Sequence, residues 1–188
     1  MGKALEGHCL WLVPTADEVT RLQSLIDTLA SQEASAPTFH PHITLLHPLG
    51  KESTSPPQAI TSTLEAAVAQ FNKARGATGP IKLTLDKPVA GEKYFQSVLT
   101  PVDESGDKSV ALRQLRTAVE DAFDERPAVF YPHLSLLYGD LSHERRLELV
   151  AEAEKQLEFP REVVVEDAVV VDINGTAPEW KIVARVKL

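Results

Sequence analysis

The chain has 188 residues, of which 43% are hydrophobic, and this suits one domain with a core of its own. The single cysteine, Cys9, excludes an internal disulfide and predicts a buried thiol in a reducing compartment. The net charge of −8, without any basic run, disfavours a long nucleic-acid partner. No secretion signal and no apolar run of membrane length is visible, so we expect a cytoplasmic or nuclear monomer without a membrane partner.

The first half of the chain alternates strand and helix patterns. An apolar run from Cys9 to Val13 predicts a buried strand, and helically spaced apolar residues from Val19 to Leu29 predict a helix. The later elements of this half are a strand, a helix that begins at prolines and stops near a glycine, and a half-buried strand, predicted over residues 42–49, 53–76 and 81–85.

The second half repeats this order with one extra strand at its end. A strand centred on residues 94–99, a helix over 110–122 and a loop at 125–127 precede a second motif strand. A helix capped by Ser142 and strands over residues 163–171 and 179–187 complete the chain.

The repeated order predicts a duplicated architecture. We expect a single domain over residues 1–188, with lobes at 8–90 and 93–173 and a C-terminal strand at 179–187. The predicted fold class is α+β, two-lobed and pseudo-twofold. Antiparallel sheets carry their helices on the outside and enclose a central groove.

Two heptapeptides correspond residue by residue, one in each half. Pro41-His42-Ile43-Thr44-Leu45-Leu46-His47 matches Pro132-His133-Leu134-Ser135-Leu136-Leu137-Tyr138. Alternate residues of a strand share a face, so each copy presents one imidazole and one hydroxyl together. A single His-x-Thr in a strand is more often structural. Structural duplication alone gives no reason to keep a histidine in both copies, and the pair therefore predicts a site.

The paired motif suits proton transfer at a phosphodiester. Imidazole titrates near pH 6.5, so one of His42 and His133 can act as base while the other acts as acid. The hydroxyls of Thr44 and Ser135 can donate hydrogen bonds to phosphate oxygens. This chemistry requires no metal. The remaining histidines have no histidine counterpart in the other copy, and His47 is expected on the strand face opposite His42, so we predict neither a metal site nor a cofactor.

The two motifs are the signature of the 2H phosphoesterase superfamily, and the chain resembles its cyclic phosphodiesterases of fungi and plants. The resemblance extends to Trp11, the Tyr94-Phe95 segment and Trp180-Lys181-Ile182-Val183. It implies a metal-independent hydrolase of small ribose cyclic phosphates. The implied reactions convert nucleoside 2′,3′-cyclic phosphates to 2′-phosphates and ADP-ribose 1″,2″-cyclic phosphate, a product of tRNA splicing, to ADP-ribose 1″-phosphate. The lone cysteine favours the fungal type over the disulfide-containing plant type.

The same resemblance assigns roles to particular residues. It makes His42, Thr44, His133 and Ser135 the catalytic set, with His133 favoured as base and His42 as acid. Tyr138 corresponds to a substrate-contacting tyrosine, provided that its strand ends or twists near Gly139. The other predicted substrate contacts are aromatic residues that can stack on a nucleobase: Trp11, Phe95 and Tyr94. Core packing would explain Trp11 and Phe95 equally well.

Two other functions remain open from the sequence. One is the branch of the superfamily that cleaves 2′,5′-linked or RNA-terminal phosphodiesters, which the acidic charge disfavours for long RNA. The other is a nucleotide-binding module without turnover, which the intact histidines of both motifs disfavour. Turnover of a 2′,3′-cyclic nucleotide in the presence of a chelator separates binding from catalysis.

Overall fold

The computed structural model describes residues 2–47, 49, 55–126 and 129–188; Pro48, Ser53, Thr54 and Pro127, which belong to predicted segments, lie outside these ranges. Within them the chain forms eight strands and four α-helices. The strands are β1 His8–Pro14, β2 Ile43–Leu46, β3 Ile81–Leu85, β4 Val89–Ala90, β5 Val98–Pro101, β6 His133–Leu137, β7 Arg161–Asp172 and β8 Lys181–Lys187. The helices are α1 Ala16–Ala30, α2 Pro57–Arg75, α3 Val110–Phe123 and α4 His143–Gln156.

The strands of the described residues form one antiparallel sheet rather than separate sheets. Its order is β3-β7-β1-β2-β6-β5-β4, and β8 also pairs with β7. The two motif strands, β2 and β6, are therefore neighbours at the centre of the sheet. The predicted α+β class is confirmed, because the helices pack on an extended antiparallel sheet through a common core.

The sheet does not divide at the lobe boundaries expected from the chain order. Strand β7, expected in the second lobe, lies between β1 and β3, whereas β4, expected in the first, pairs with β5. β7 is long and largely buried, so it requires neighbours on both edges: β1 pairs along one edge, and β3 and β8 pair with successive parts of the other. Apolar patterning identifies such a strand but does not reveal which partners it takes.

Strand alternation separates two layers of apolar side chains. In β1, Leu10 and Leu12 face the main core, which the helices cover. Cys9, Trp11 and Val13 face the opposite side and pack with apolar residues of β7. Cys9 is a buried thiol as predicted, and its pKa is raised mainly by burial. The opposite side of the sheet is the one that carries Trp11.

The helix boundaries follow local signals. α2 begins at Pro57 and ends before Gly76, whose φ of 66° suits glycine, so the predicted start and stop are confirmed. At α4 the Ser142 hydroxyl accepts a hydrogen bond from the Arg145 amide at 3.2 Å, as expected for a cap. Among the described residues, no helix has both the length and the apolarity needed to cross a membrane.

The strand predicted over residues 94–99 is wrong in its first half. Tyr94–Gln96 forms a single turn of 3₁₀ helix, and β5 begins only at Val98. The cause is a closed loop, residues 91–97, in which the Gly91 amide donates to the Ser97 carbonyl at 3.1 Å. A Cβ at Gly91 would lie only 1.9 Å from the Gln96 carbonyl oxygen, so this close approach requires glycine.

Candidate active site

The register of the two central strands brings the paired motifs together. Ile43 of β2 lies opposite Leu134 of β6, and both side chains are buried in the main core. One residue further along each antiparallel strand, His42 lies beside Ser135 and Thr44 beside His133. Because neighbouring residues alternate faces, all four point away from the core. The two histidines are diagonal neighbours, a relation that corresponds to roughly 7–8 Å between Cα atoms.

A single cavity of about 470 Å³ receives these four side chains. Its volume lies within the usual range for small-molecule sites. The predicted placement of both histidines and both hydroxyls along one groove therefore agrees with the structure.

His42 is held by its neighbours in one ring orientation. Its imidazole stacks on the Trp11 indole with a centroid distance of 3.6 Å and an interplanar angle of 10°. Its Nδ1 is 2.7 Å from the His40 carbonyl oxygen. A carbonyl can only accept, so Nδ1 carries the proton and Nε2 of the neutral ring is a free base.

His133 repeats this arrangement in the second strand. Its Nδ1 is 2.7 Å from the Tyr131 carbonyl oxygen, again the carbonyl two residues earlier. The Tyr131 ring lies against the imidazole at a centroid distance of 5.4 Å. The neutral tautomer is therefore the same in both histidines. Each ring can accept a proton at Nε2 and, once protonated, return it there.

The pKa values of the two histidines are lowered to different extents. Burial lowers the pKa of His42 to about 3, opposed by its bond to the His40 carbonyl and assisted by the charges of His40 and His133. Burial also lowers the pKa of the half-buried His133, opposed by the Tyr131 carbonyl, with the charge of Lys93 as a smaller cause. His42 is therefore neutral at pH 7 in this structure, and His133 is biased towards the neutral form.

The two hydroxyls differ in their surroundings. Ser135 is buried, and its Oγ donates to the Phe95 carbonyl oxygen at 2.9 Å. Thr44 is half-buried on the cavity wall. Ser135 has only one proton to donate, so its hydroxyl must turn away from Phe95 before it can donate to a phosphate oxygen.

Tyr138 meets the condition that its predicted role requires. The pairing of β6 with β5 skips Leu136, so Leu136 and Leu137 both face the core and Tyr138 turns to the cavity side, which it lines. Its ring stacks on Phe39 with a centroid distance of 3.7 Å, and its hydroxyl hydrogen-bonds with Ser135. Burial raises the pKa of this hydroxyl, which therefore remains protonated.

The other predicted aromatic contacts divide into two groups. Trp11 and Phe95 line the cavity as expected. Tyr94 does not: its ring is 6% exposed and packs edge-on against Phe95, at a centroid distance of 4.8 Å. The expectation that Tyr94 contacts substrate therefore disagrees with its position. The 3₁₀ turn replaces the strand alternation on which such a reading would rely.

Trp180 is a cavity residue for which the sequence predicted no contact. It is half-buried, and its ring lies 5.8 Å from Phe95 and 5.9 Å from Trp11. Its Nε1 donates to the Gly175 carbonyl oxygen at 3.1 Å, which fixes the ring. The sequence signal was the aromatic residue just before β8, but nothing local indicated that β8 borders this cavity.

The electrostatic character of the cavity differs from that of the whole chain. Lys93 and Arg116 line it, together with His47, whose pKa burial lowers, and no Asp or Glu is among its described lining residues. His47 was expected on the opposite face, but the pairing of β2 with β1 skips Leu45, so Leu45 and Leu46 both face the core and His47 returns to the cavity side. The acidic chain thus presents a locally cationic cavity. In the part of the chain that the structure describes, no three His, Cys, Asp or Glu residues are grouped to hold a metal ion.

The sheet with its paired His-x-Thr/Ser strands defines a 2H phosphoesterase. A family model described as "Cyclic phosphodiesterase-like protein" matches residues 6–188, and the chain belongs to that family. The resemblance inferred from the sequence is confirmed. The family assignment covers nearly the whole chain, including both motifs and the final strand.

Two curated fungal proteins are similar in sequence, and both are named 2′,3′-cyclic-nucleotide 3′-phosphodiesterase. The protein from Phaeosphaeria nodorum is 30% identical over 148 residues, which are 72% of this chain and 70% of that protein. The protein from Eremothecium gossypii is 29% identical over 143 residues, 71% of this chain and 66% of that protein. The chain thus spans about two thirds of the length of these relatives.

Solved structures of Escherichia coli LigT share the fold. The apo form superposes with a TM-score of 0.54 at 14% identity, over 97% of each chain. LigT complexed with 3′-AMP gives a TM-score of 0.51 at 14% identity, over 99% of each chain. At this level of identity the likeness concerns the fold alone.

Proposed function

We propose that this protein hydrolyses ribose cyclic phosphates. The proposed reactions convert nucleoside 2′,3′-cyclic phosphates to 2′-phosphates and ADP-ribose 1″,2″-cyclic phosphate to ADP-ribose 1″-phosphate. The observation that carries the proposal is the pair of equivalent imidazoles, His42 and His133, that meet in one cationic cavity. The names of the two fungal relatives support the first substrate class.

In the proposed mechanism, His133 is the base and His42 is the acid. Nε2 of His133 takes a proton from water, whose oxygen forms a new bond to phosphorus. The bond from phosphorus to the ribose 3′ oxygen breaks, and that oxygen takes a proton from Nε2 of His42. The half-buried position of His133 supports the assignment, since water reaches it more easily than it reaches His42. Each proton transfer contributes roughly 10²–10⁴ in rate.

The acid role of His42 requires help from the substrate. Burial holds its pKa near 3, so the ring is neutral at pH 7 until an opposing charge favours the protonated form. A phosphodiester anion bound between the two histidines supplies such a charge in a site of low polarity. We therefore propose that substrate and the catalytic proton are bound together.

The hydroxyls and aromatic rings complete the proposed site. Thr44 and Ser135 donate to the non-bridging phosphate oxygens, and these bonds strengthen as negative charge builds in the transition state. A nucleobase stacks on the aromatic wall, for which Phe95 and Trp180 offer half-buried rings. Trp11 is already covered by the His42 imidazole, so it positions that ring instead.

The test is a substrate panel with excess EDTA. Purified protein is incubated with the four nucleoside 2′,3′-cyclic phosphates and with ADP-ribose 1″,2″-cyclic phosphate, and products are identified by phosphorus NMR. We expect turnover of both classes, with a 2′-phosphate and a 1″-phosphate as products. Activity that is lost in EDTA and restored by zinc or magnesium would contradict the metal-free mechanism. Tight binding without turnover would instead support a nucleotide-binding module.

A further inference from the structure

Lys93 is a cation of the cavity that the proposed mechanism does not use. It is exposed, lines the cavity wall, and lies close enough to His133 for its charge to act on that imidazole. No hydrogen bond joins the two side chains among the contacts of the described residues. Lys93 therefore lines the same cavity as the paired histidines without a hydrogen bond to His133.

The loop that carries Lys93 is anchored to the second motif strand. Within residues 91–97, the Phe95 carbonyl accepts from Ser135 at 2.9 Å and the Tyr94 carbonyl accepts from the Gly139 amide at 2.9 Å. From the other side, Arg146 of α4 donates to the Gly91 carbonyl at 2.6 Å. The backbone at Lys93 is thus fixed relative to the site, and only the side chain must order on binding an anion.

Arg116 provides the contrast. Its Nε donates to the Glu120 carboxylate at 2.7 Å, its Nη1 donates to the Leu45 carbonyl, and its guanidinium lies 4.7 Å from the Phe130 ring centre. Its charge is paired, and its contacts secure the end of β2. Lys93 has no ion-pair partner among residues 2–47, 49, 55–126 and 129–188, so its charge is available to a ligand.

We propose that Lys93 forms a second anion subsite, which binds a phosphate of the substrate other than the cyclic phosphate that reacts. The inference rests on the proposed function and deepens it: the cavity prefers cyclic phosphates that carry a further phosphate or diphosphate. In the proposed mechanism, the reacting phosphate is contacted by the two histidines and two hydroxyls of the central strands. The flexible stem of Lys93 reaches a separate group, and an ammonium binds phosphate as a point charge.

The test compares two substrates that differ by one phosphate. Adenosine 2′,3′-cyclic phosphate is assayed with and without a 5′-phosphate, and the preference is the ratio of their kcat/KM values. We expect the wild-type protein to prefer the 5′-phosphorylated substrate. Lys93→Gln should reduce that preference roughly 5- to 10-fold, and the reduction should shrink at high salt, since the contact is partly exposed.

Two further variants control this comparison. Lys93→Arg keeps the charge and should retain most of the preference. Lys87→Gln removes an exposed lysine that does not line this cavity and should leave the preference as in the wild type. An unchanged preference in Lys93→Gln, or an equal loss for both substrates, would overturn the second subsite.

A binding measurement separates failure of the subsite from failure of the proposed function. If neither substrate is turned over, the proposed reaction fails, and calorimetry then compares adenosine 2′-phosphate with adenosine 2′,5′-bisphosphate. Tighter binding of the bisphosphate to the wild-type protein, lost in Lys93→Gln, would still support the subsite. Equal binding of the two nucleotides would reject it.

Discussion

The Nδ1 contacts of His42 and His133 give the two copies of the motif the same tautomer. Each imidazole donates to the carbonyl two residues earlier in its own chain, at 2.7 Å. The sequence predicted the histidines and their shared face, but it could not predict these contacts. They depend on the backbone just before each strand, where no side-chain pattern exists.

The roles of the two histidines can be distinguished by changing the leaving group. His42→Ala and His133→Ala should each lower turnover of a 2′,3′-cyclic phosphate roughly 10²-fold or more, because acid–base catalysis is lost. A 3′-deoxynucleoside 2′-(p-nitrophenyl phosphate) expels a weakly basic phenolate that needs no acid. On this ester we expect His42→Ala to lose less than about tenfold, while His133→Ala keeps its large defect. A large defect in His42→Ala with a small one in His133→Ala on this ester would make His42 the base and His133 the acid. Near wild-type turnover of the cyclic phosphate by both variants would contradict both roles.

Anion binding should raise the pKa of His42. Sulfate imitates the phosphodiester and remains fully ionised above about pH 4, so any pH dependence of its binding reports on the protein. The pKa of His42 in the structure is near 3, so this ring is neutral before sulfate binds. A proton that His42 takes up in the complex then makes sulfate bind more tightly as the pH falls from 8 to 5. The expected result is an upward shift of the His42 titration by NMR on adding sulfate. A His42→Asn variant should weaken this pH dependence, and an unshifted His42 would contradict the proposed acid.

At the scale of elements, strand alternation was reliable over the motif residues and failed at an irregularity that both motif strands share, where Leu45 and Leu46 of β2 and Leu136 and Leu137 of β6 all face the main core. It correctly placed the motif hydroxyls with the histidines, because these residues lie within or beside the paired segments. It failed for His47 and Tyr138, because the irregularity shifts the alternation by one residue and turns both side chains to the cavity side. Tyr94 has a different cause, since a closed loop replaces the predicted strand there.

The 91–97 loop should be sensitive to a single methyl group. Gly91→Ala places a Cβ about 1.9 Å from the Gln96 carbonyl oxygen, so the backbone must move. We expect a loss of roughly 1–3 kcal/mol in the free energy of unfolding, measured with urea, and a lower kcat/KM, since this loop meets Ser135. Gly139→Ala is the matched control, because its nearest neighbour would be the Leu141 side chain at an ordinary 3.5 Å. Equal stability of the two variants would show that the loop adapts freely.

At the scale of the molecule, the duplication was visible in the sequence but the pairing of its outer strands was not. The repeated motif predicted one strand in each half beside a central groove, and in the structure those strands, β2 and β6, are neighbours in one sheet. The pairing of β7 with β1 and β3 depends on contacts between residues about 80 or more positions apart, such as Lys82 with Glu162, which no local sequence pattern predicts. Lys93 and Trp180 escaped prediction for the same reason, since each reaches the cavity through long-range pairing.

Burial of a neutral histidine should make the whole fold sensitive to acid. The pKa of His42 is about 3 in the folded protein and about 6.5 when unfolded, so below pH 6.5 the unfolded state binds the extra proton. The free energy of unfolding should therefore decrease as the pH falls, by up to roughly 2–3 kcal/mol for this group between pH 6.5 and 4.5. His42→Asn should flatten this slope, whatever constant cost the substitution adds. His143→Asn, at an exposed position of α4, should leave the slope unchanged, and a slope kept by His42→Asn would reject the attribution.

The position of β7 has a consequence for how the protein is made. β1 and β3 are each complete before residue 90 is synthesised, yet each lacks its shared neighbour until residues 161–172 leave the ribosome. The nascent first half therefore carries an unpaired edge on both strands until those residues are translated. Formation of the β3-β7-β1 part of the sheet is delayed until translation has almost ended, and a ribosome-bound chain stalled before residue 161 should be cut by protease where the released protein is resistant.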